Sequence, residues 1–189
     1  MHRLFVALRP PEEAAQHLDD FLEVRRAAAP FRWTPADQLH LTLAFCPQVP
    51  DHLLDDLLER LAVAASRRRP PDLAVAGGGA FPDPDRGRVL WAGLRTDPGG
   101  EAELAALATG ARNAAVAAGV VVDGQRFRPH LTVARCGRPT QLTSWVRLLD
   151  AYDGPAWRAE HLELVASHLG EGPRRRPRHE VLAELPLGG

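Results

Sequence analysis

The chain has 189 residues, of which 45% are hydrophobic and 25% charged, enough for one buried core and too apolar for a disordered chain. Its 23 basic and 24 acidic residues leave a formal net charge of −1, which argues against a large sequence-blind nucleic-acid footprint but leaves room for a small site that grips a phosphate. All the basic residues are arginine, so lysine-nucleophile and Schiff-base chemistry is excluded.

The first element is the apolar run RLFVALR at residues 3–9, short and closed by Pro10-Pro11, which predicts a buried strand. Residues 11–28 follow as an amphipathic helix: Ala14, Leu18, Phe21 and Leu22 step by three and four, and Glu12 and Glu13 suit its positive end. Pro30 and Pro35 bracket a loop. The segment LHLTLAF at residues 39–45 alternates strictly and predicts a strand. Residues 51–68 predict a second helix ended by arginines and Pro70-Pro71, and residues 73–76 a weak strand running into Gly77-Gly78-Gly79. The pattern then recurs. Residues 88–94 (RVLWAGL) predict a strand, Pro98-Gly99-Gly100 a turn, residues 101–118 a helix, residues 128–135 (RPHLTVAR) a second alternating strand and residues 142–150 a helix. Residues 162–168 and 181–185 predict a closing strand pair around a turn rich in glycine, proline and arginine.

Both halves thus read strand, helix, strand bearing His-Leu-Thr, helix, strand, with the two triplets ninety residues apart. The expected fold is α+β: one bilobal domain over residues 1–189, with pseudo-repeats at roughly 1–80 and 86–189. Each lobe is expected to be a mostly antiparallel sheet with helices on its outer face, a cleft lying between the lobes and the crossing at residues 77–88. The N-terminus has neither the length of apolar region nor the cleavage site of a signal peptide, and no segment is apolar enough to span a membrane, so a cytoplasmic protein without membrane partners is expected. Two cysteines, Cys46 and Cys136, fit a reducing compartment and are expected to be inert buried thiols.

The chemistry is carried by His40-Leu41-Thr42 and His130-Leu131-Thr132. On a strand, residues two apart share a face, so each His-Thr pair stands on one side while the leucines anchor the other. Two imidazoles across a cleft can act as general base and general acid near neutral pH, and two threonine hydroxyls can donate to the non-bridging oxygens of a phosphate. That set suits in-line cleavage of a phosphodiester without a metal or other cofactor. The competing reading is a structural His-Thr pair copied by duplication. A metal site built from His40, His130, Cys46 and Cys136 is conceivable, but the H-x-T spacing is unlike a zinc knuckle.

These segments resemble the 2H phosphoesterases, and within them the RNA 2′,3′-cyclic phosphodiesterase (2′-5′ RNA ligase) group. The resemblance lies in RLFVALRPPEE, RWTPADQLHLTLAF (residues 32–45), RVLWAGL (88–94) and FRPHLTVAR (127–135), and covers nearly the whole chain. It implies metal-independent opening of a 2′,3′-cyclic phosphate to a 2′-phosphomonoester, with reverse 2′-5′ ligation chemically allowed. It further implies His40 as proton donor, His130 as proton acceptor, and Thr42 and Thr132 as phosphate-binding residues. Arg135 occupies a position commonly arginine in this group, where it would clamp the phosphate; strict alternation puts it on the wrong face unless a bulge turns it. Phe45, the matching residue after His40, could contact a base or pack in the core, as could Trp33 and Trp91. Expected partners are RNA ends or nucleotides bearing a 2′,3′-cyclic phosphate, bound by a monomer. ADP-ribose cyclic phosphate, a 2′-5′ oligonucleotide, or non-catalytic binding of RNA ends are the alternatives. The chain departs from the group at Cys46-Pro47, where Leu-Gly is common, and at His179, where Tyr is frequent. The arginine run at residues 174–178 reads as a solvated turn that could also approach an RNA backbone.

Overall fold

The computed structural model of the protein describes residues 1–124, 126–172 and 175–188. In chain order the elements are β1 (His2–Leu8), α1 (Glu12–Arg26), β2 (Arg32–Trp33), β3 (Leu41–Val49), α2 (Leu54–Ser66), β4 (Asp72–Phe81), β5 (Gly87–Arg95), α3 (Pro98–Ala117), β6 (Leu131–Thr140), α4 (Thr143–Asp150), β7 (Asp153–Arg158), β8 (His161–His168) and β9 (Arg178–Pro186). Single turns of 3₁₀ helix at Ala36–Gln38 and Asp51–Leu53 precede β3 and α2. No described helix is long and apolar enough to cross a membrane.

The α+β class and its antiparallel pairing follow the sequence pattern, and the four helices lie where the periodicity puts them. Three segments differ. Pro98-Gly99-Gly100 is the first turn of α3, not a loop: Asp97 is its N-cap, accepting from the Gly100 amide at 2.6 Å, with Pro98 at the first helical position. The chain between Pro30 and Pro35 contains β2, two residues long, paired with β6. The strand β7 carried no sequence signal because Gly154 and Pro155 interrupt it; it is an edge strand, paired only with β4.

The strands form one curled sheet in the order β7-β4-β5-β6-β3-β1-β8-β9, with β2 beside β6. Its two halves meet at β3 and β6 through a single register pair, Leu41 opposite Leu131. So few ladder bonds let the halves splay, and the opening between them is the cleft. The helices α2 and α3 pack together over β1, β3, β8 and β9, where Leu57, Leu61, Leu104 and Leu107 join Leu4, Val6 and Leu164 in one core. The helices α1 and α4 cover the other half, where Leu18, Leu22 and Leu149 pack with Val75, Leu90 and Val133.

The halves of the sheet are therefore not the halves of the sequence. β4 precedes residue 86 yet pairs with β5 and β7, and β8 returns to pair with β1. The chain passes between the halves more than once, among them between α2 and β4 at residues 67–71 and between β7 and β8, but not at residues 77–88. Gly77-Gly78-Gly79 is not a linker but the bulged middle of β4. Gly77 has φ +71°, and side chains at Gly78 and Gly79 would collide with Leu149 and with the ring of Trp91. The glycines let α4 and Trp91 lie directly on the strand.

Candidate active site

His40 and His130 sit immediately before β3 and β6, one residue ahead of the strand ladders. The alternation still runs through them. Leu39, Leu41 and Leu43 are buried while His40 and Thr42 are half-buried on the other side, and Leu131 and Val133 are buried while His130 and Thr132 are half-buried. Beyond each threonine the register slips. Ala7 pairs with Thr42 but Val6 with Ala44; Trp91 pairs with Thr132 but Leu90 with Ala134. One residue on the neighbour opposes two on the motif strand, which is a β-bulge. Leu43 and Ala44 are consequently both buried, as are Val133 and Ala134, and the next residue of each strand returns to the cleft face. Those residues are Phe45 and Arg135. The bulge is what aims Arg135 at the site, against strict alternation.

All six residues, His40, Thr42, Phe45, His130, Thr132 and Arg135, line one cavity of about 490 Å³. A larger groove, about 890 Å³, lies on the outer face of α2 and α3 and contains none of them. It is lined mainly by alanines and charged surface residues, with neither histidine nor cysteine.

The two imidazoles are fixed in the same way. His40 Nδ1 lies 2.7 Å from the Gln38 carbonyl, and His130 Nδ1 lies 2.7 Å from the Arg128 carbonyl. A carbonyl only accepts, so each Nδ1 carries the proton and donates it. In the neutral ring Nε2 is then the free acceptor. The Gln38 carbonyl ends the 3₁₀ turn Ala36–Gln38, and Arg9 Nη1 donates to the Asp37 carbonyl at 3.0 Å. Arg9 is itself held by Glu163 on β8, 3.0 Å from Nε. A half-buried ion pair thus steadies the turn that orients His40.

The surroundings of the two rings differ. His40 stacks on Phe5 with centroids 4.6 Å apart, and His179 from β9 meets it edge to face at 5.4 Å. His130 packs against Phe81 at 4.9 Å and Trp91 at 6.0 Å. Burial pulls the His40 pKa down to about 4, with the charges of His179, Arg9 and His130 adding to the fall and the Gln38 carbonyl opposing it. Burial and then Arg135 also lower His130, against the Arg128 carbonyl. His179 is lowered by burial and Arg9, against Asp37, and its buried Nδ1 has no hydrogen-bond partner among the described residues. Burial thus favours the neutral form of each of the three imidazoles that line the cleft. An anion held between His40 and His130 would oppose that effect in both rings.

Residues from distant strands also line the cleft: Arg3, Arg32, Trp33, Arg176 and His179. Of these, the sequence had marked Trp33 as a core or base-contacting ring and His179 as a departure. Arg3 and Arg32 open two of the segments that carry the resemblance, but nothing in the sequence singles either out as a site residue. In the arginine run, Arg174 lies outside the described residues. Arg176 is not solvated turn but half-buried, donating to the Trp33 carbonyl at 2.9 Å. Arg178 lies on β9 in ion pairs with Glu171 and Glu180. Cys46 and Cys136 are buried and unbridged on the opposite face of their strands, and burial pushes the Cys46 thiol up to about 11.

A curled antiparallel sheet in which neighbouring strands each bring an H-x-T pair to one cavity is the architecture of a phosphoesterase. The chain matches the family described as LigT like Phosphoesterase over residues 8–91 and 95–174, and it belongs to that family. It is 33% identical over 192 residues to an RNA 2′,3′-cyclic phosphodiesterase from Geobacillus stearothermophilus, the match covering 98% of this chain and 57% of that protein, so the chain spans little more than half of that relative. It is 32% identical over 193 residues to the protein of the same name from Thermus thermophilus, covering 99% of this chain and 91% of that one. The crystal structure of Escherichia coli LigT complexed with 3′-AMP superposes with a TM-score of 0.77 at 26% identity, covering 98% of each chain.

Proposed function

We propose that the protein hydrolyses RNA or nucleotide 2′,3′-cyclic phosphates to 2′-phosphomonoesters without a metal. The observation that carries this reading is the matched pair of imidazoles. Each is locked through Nδ1 to a backbone carbonyl two residues upstream and each has a threonine hydroxyl two residues downstream in the same cavity. The naming of the Geobacillus and Thermus relatives agrees with it.

In the productive state the pair shares one proton. His130, neutral, takes a proton from water through Nε2 as the oxygen forms its bond to phosphorus. His40, protonated, gives its Nε2 proton to O3′ as the P–O3′ bond breaks, leaving the phosphate on O2′. The same burial that disfavours the charged form of His40 makes its protonated form a strong donor once an anion has charged it. Thr42 and Thr132 donate to the two non-bridging oxygens, and Arg135 adds a guanidinium to the charge that builds there. Ligation of a 2′-phosphate to a 2′-5′ bond is the reverse of the same step. The residues of the mechanism all come from one chain, so a monomer suffices.

The test is turnover of adenosine 2′,3′-cyclic phosphate in EDTA with identification of the product isomer, wild type beside the His40→Ala/His130→Ala double variant. Adenosine 2′-phosphate from wild type alone is expected. Formation of the 3′ isomer, or equal turnover by the double variant, contradicts the reading.

A further inference from the structure

The cleft holds more guanidinium groups than one phosphodiester can use. Arg3, Arg32, Arg135 and Arg176 line it, against one carboxylate among the described residues, that of Asp123. The chain as a whole carries 23 basic and 24 acidic residues, so the excess is local to the cleft. The arginine ion pairs among the described residues all lie elsewhere.

Two of the four are occupied by the protein itself. The Arg3 guanidinium lies 4.4 Å from the centre of the Phe45 ring, and Arg176 donates to the Trp33 carbonyl. Among the described residues Arg32 and Arg135 have no such partner, and they stand directly opposite each other in the β2–β6 register. Opposed residues of an antiparallel pair have Cα atoms only ~4.5–5.5 Å apart, and like charges so placed repel. Burial and the neighbouring Arg32 charge lower the proton affinity of Arg135. An anion between the two guanidinium groups would remove the conflict.

The scissile phosphate does not account for both. It has two non-bridging oxygens, and the hydroxyls of Thr42 and Thr132 with the fork of Arg135 already supply donors for them. Arg32 is surplus to that count, one strand further from the histidines. The next anion along an RNA end is the 5′-phosphate of the terminal nucleotide, one ribose away from the cyclic phosphate.

We propose that Arg32, together with Arg135, forms a second phosphate subsite that takes the 5′-phosphate of the nucleotide whose cyclic phosphate lies between the histidines. This rests on the function proposed above and narrows its substrate: a polynucleotide end is preferred over a nucleoside cyclic phosphate. The shared chemistry is a phosphate at the 5′ position, either a terminal monoester or the diester leading to the preceding nucleotide.

The experiment compares kcat/KM of wild type and Arg32→Gln on three substrates at fixed low salt. They are adenosine 2′,3′-cyclic phosphate, its 5′-phosphorylated form, and a dinucleotide ending in a 2′,3′-cyclic phosphate. Wild type is expected to favour the two substrates with a second phosphate by ~10–100-fold, the range of a charge-assisted contact, and Arg32→Gln to lose most of that preference. A gain on both substrates assigns the subsite to phosphate charge; a gain on the dinucleotide alone assigns it to the diester. No preference in wild type, or equal losses on all three substrates in Arg32→Gln, overturns the proposal. Should wild type turn over none of them, the proposed function fails separately, and binding decides the subsite. Adenosine 2′,5′-bisphosphate is then expected to bind wild type ~10-fold or more tighter than adenosine 2′-phosphate, a margin lost in Arg32→Gln. Equal affinities in wild type sink it.

Discussion

The His40 and His130 halves of the cleft use one backbone device and end in different electrostatic states. In both, a histidine ahead of the strand donates Nδ1 to the carbonyl two residues back, a threonine follows, and a bulge turns the fifth residue after the histidine into the cleft. The surroundings then diverge. His40 is enclosed by Phe5 and His179 and lies near Arg9, whereas His130 rests on Phe81 and Trp91 and looks toward Arg135. Local sequence sets where each imidazole stands; neighbours from other strands set how readily it takes a proton. Two such groups are chemically unequal, as an acid–base pair requires.

The largest expected effect comes from removing either half. His40→Ala and His130→Ala are each expected to lower kcat by ~10²–10⁴ with the fold retained, read from steady-state kinetics beside thermal unfolding. The double variant should lose little more than the worse single one, because the two act as a unit. Fully multiplicative losses would argue against a shared proton.

The second effect is on stability, and its sign follows from linkage. His40 has a folded pKa of about 4 against 6.5 for the free side chain, so the unfolded chain binds the proton first. Stability therefore falls as pH drops from about 6.5 toward 4, by up to about 3 kcal/mol from this site. His40→Phe should flatten that part of the curve in denaturant titrations at pH 7 and pH 4. An undiminished acid slope in the variant would place the loss elsewhere.

The support under His130 gives a third effect. Gly79→Ala puts a methyl group into the Trp91 ring that packs on His130, at an overpacking cost of ~1–3 kcal/mol. Gly137→Ala, with nothing within 4 Å of its new methyl group, is the control and should be close to neutral. The smallest effect is expected at His179. His179→Phe keeps the ring but removes its charge, so the His40 pKa, followed by NMR, should rise by less than ~1 unit.

The motif strands were legible because alternation is local: His-Leu-Thr within an apolar-polar strand needs no knowledge of its partners. The bulges were not, since a register slip exists only between two strands. That is why Arg135 looked misplaced by parity and Phe45 could be read as core. Arg3, Arg32 and His179 belong to β1, β2 and β9, and only the sheet order brings them to one cavity. Gly77-Gly78-Gly79 read as a crossing because glycine favours turns. Its actual use, close approach of Leu149 and Trp91, depends on a helix and a strand later in the chain. Pro98-Gly99-Gly100 resembles a turn because of its glycines, yet it forms the first turn of α3, capped by the Asp97 side chain.

The most direct test of the account is the pH dependence of kcat/KM on adenosine 2′,3′-cyclic phosphate in the presence of EDTA. Activity needs one proton on the pair: below both pKa values the base is blocked, and above both the acid is spent. With His40 at about 4 and His130 lowered from 6.5, the expected result is a bell displaced to the acid side, with its maximum below pH 6.5. A single rising limb through neutral pH, or activity abolished by the chelator, would contradict a metal-free mechanism run by these two histidines.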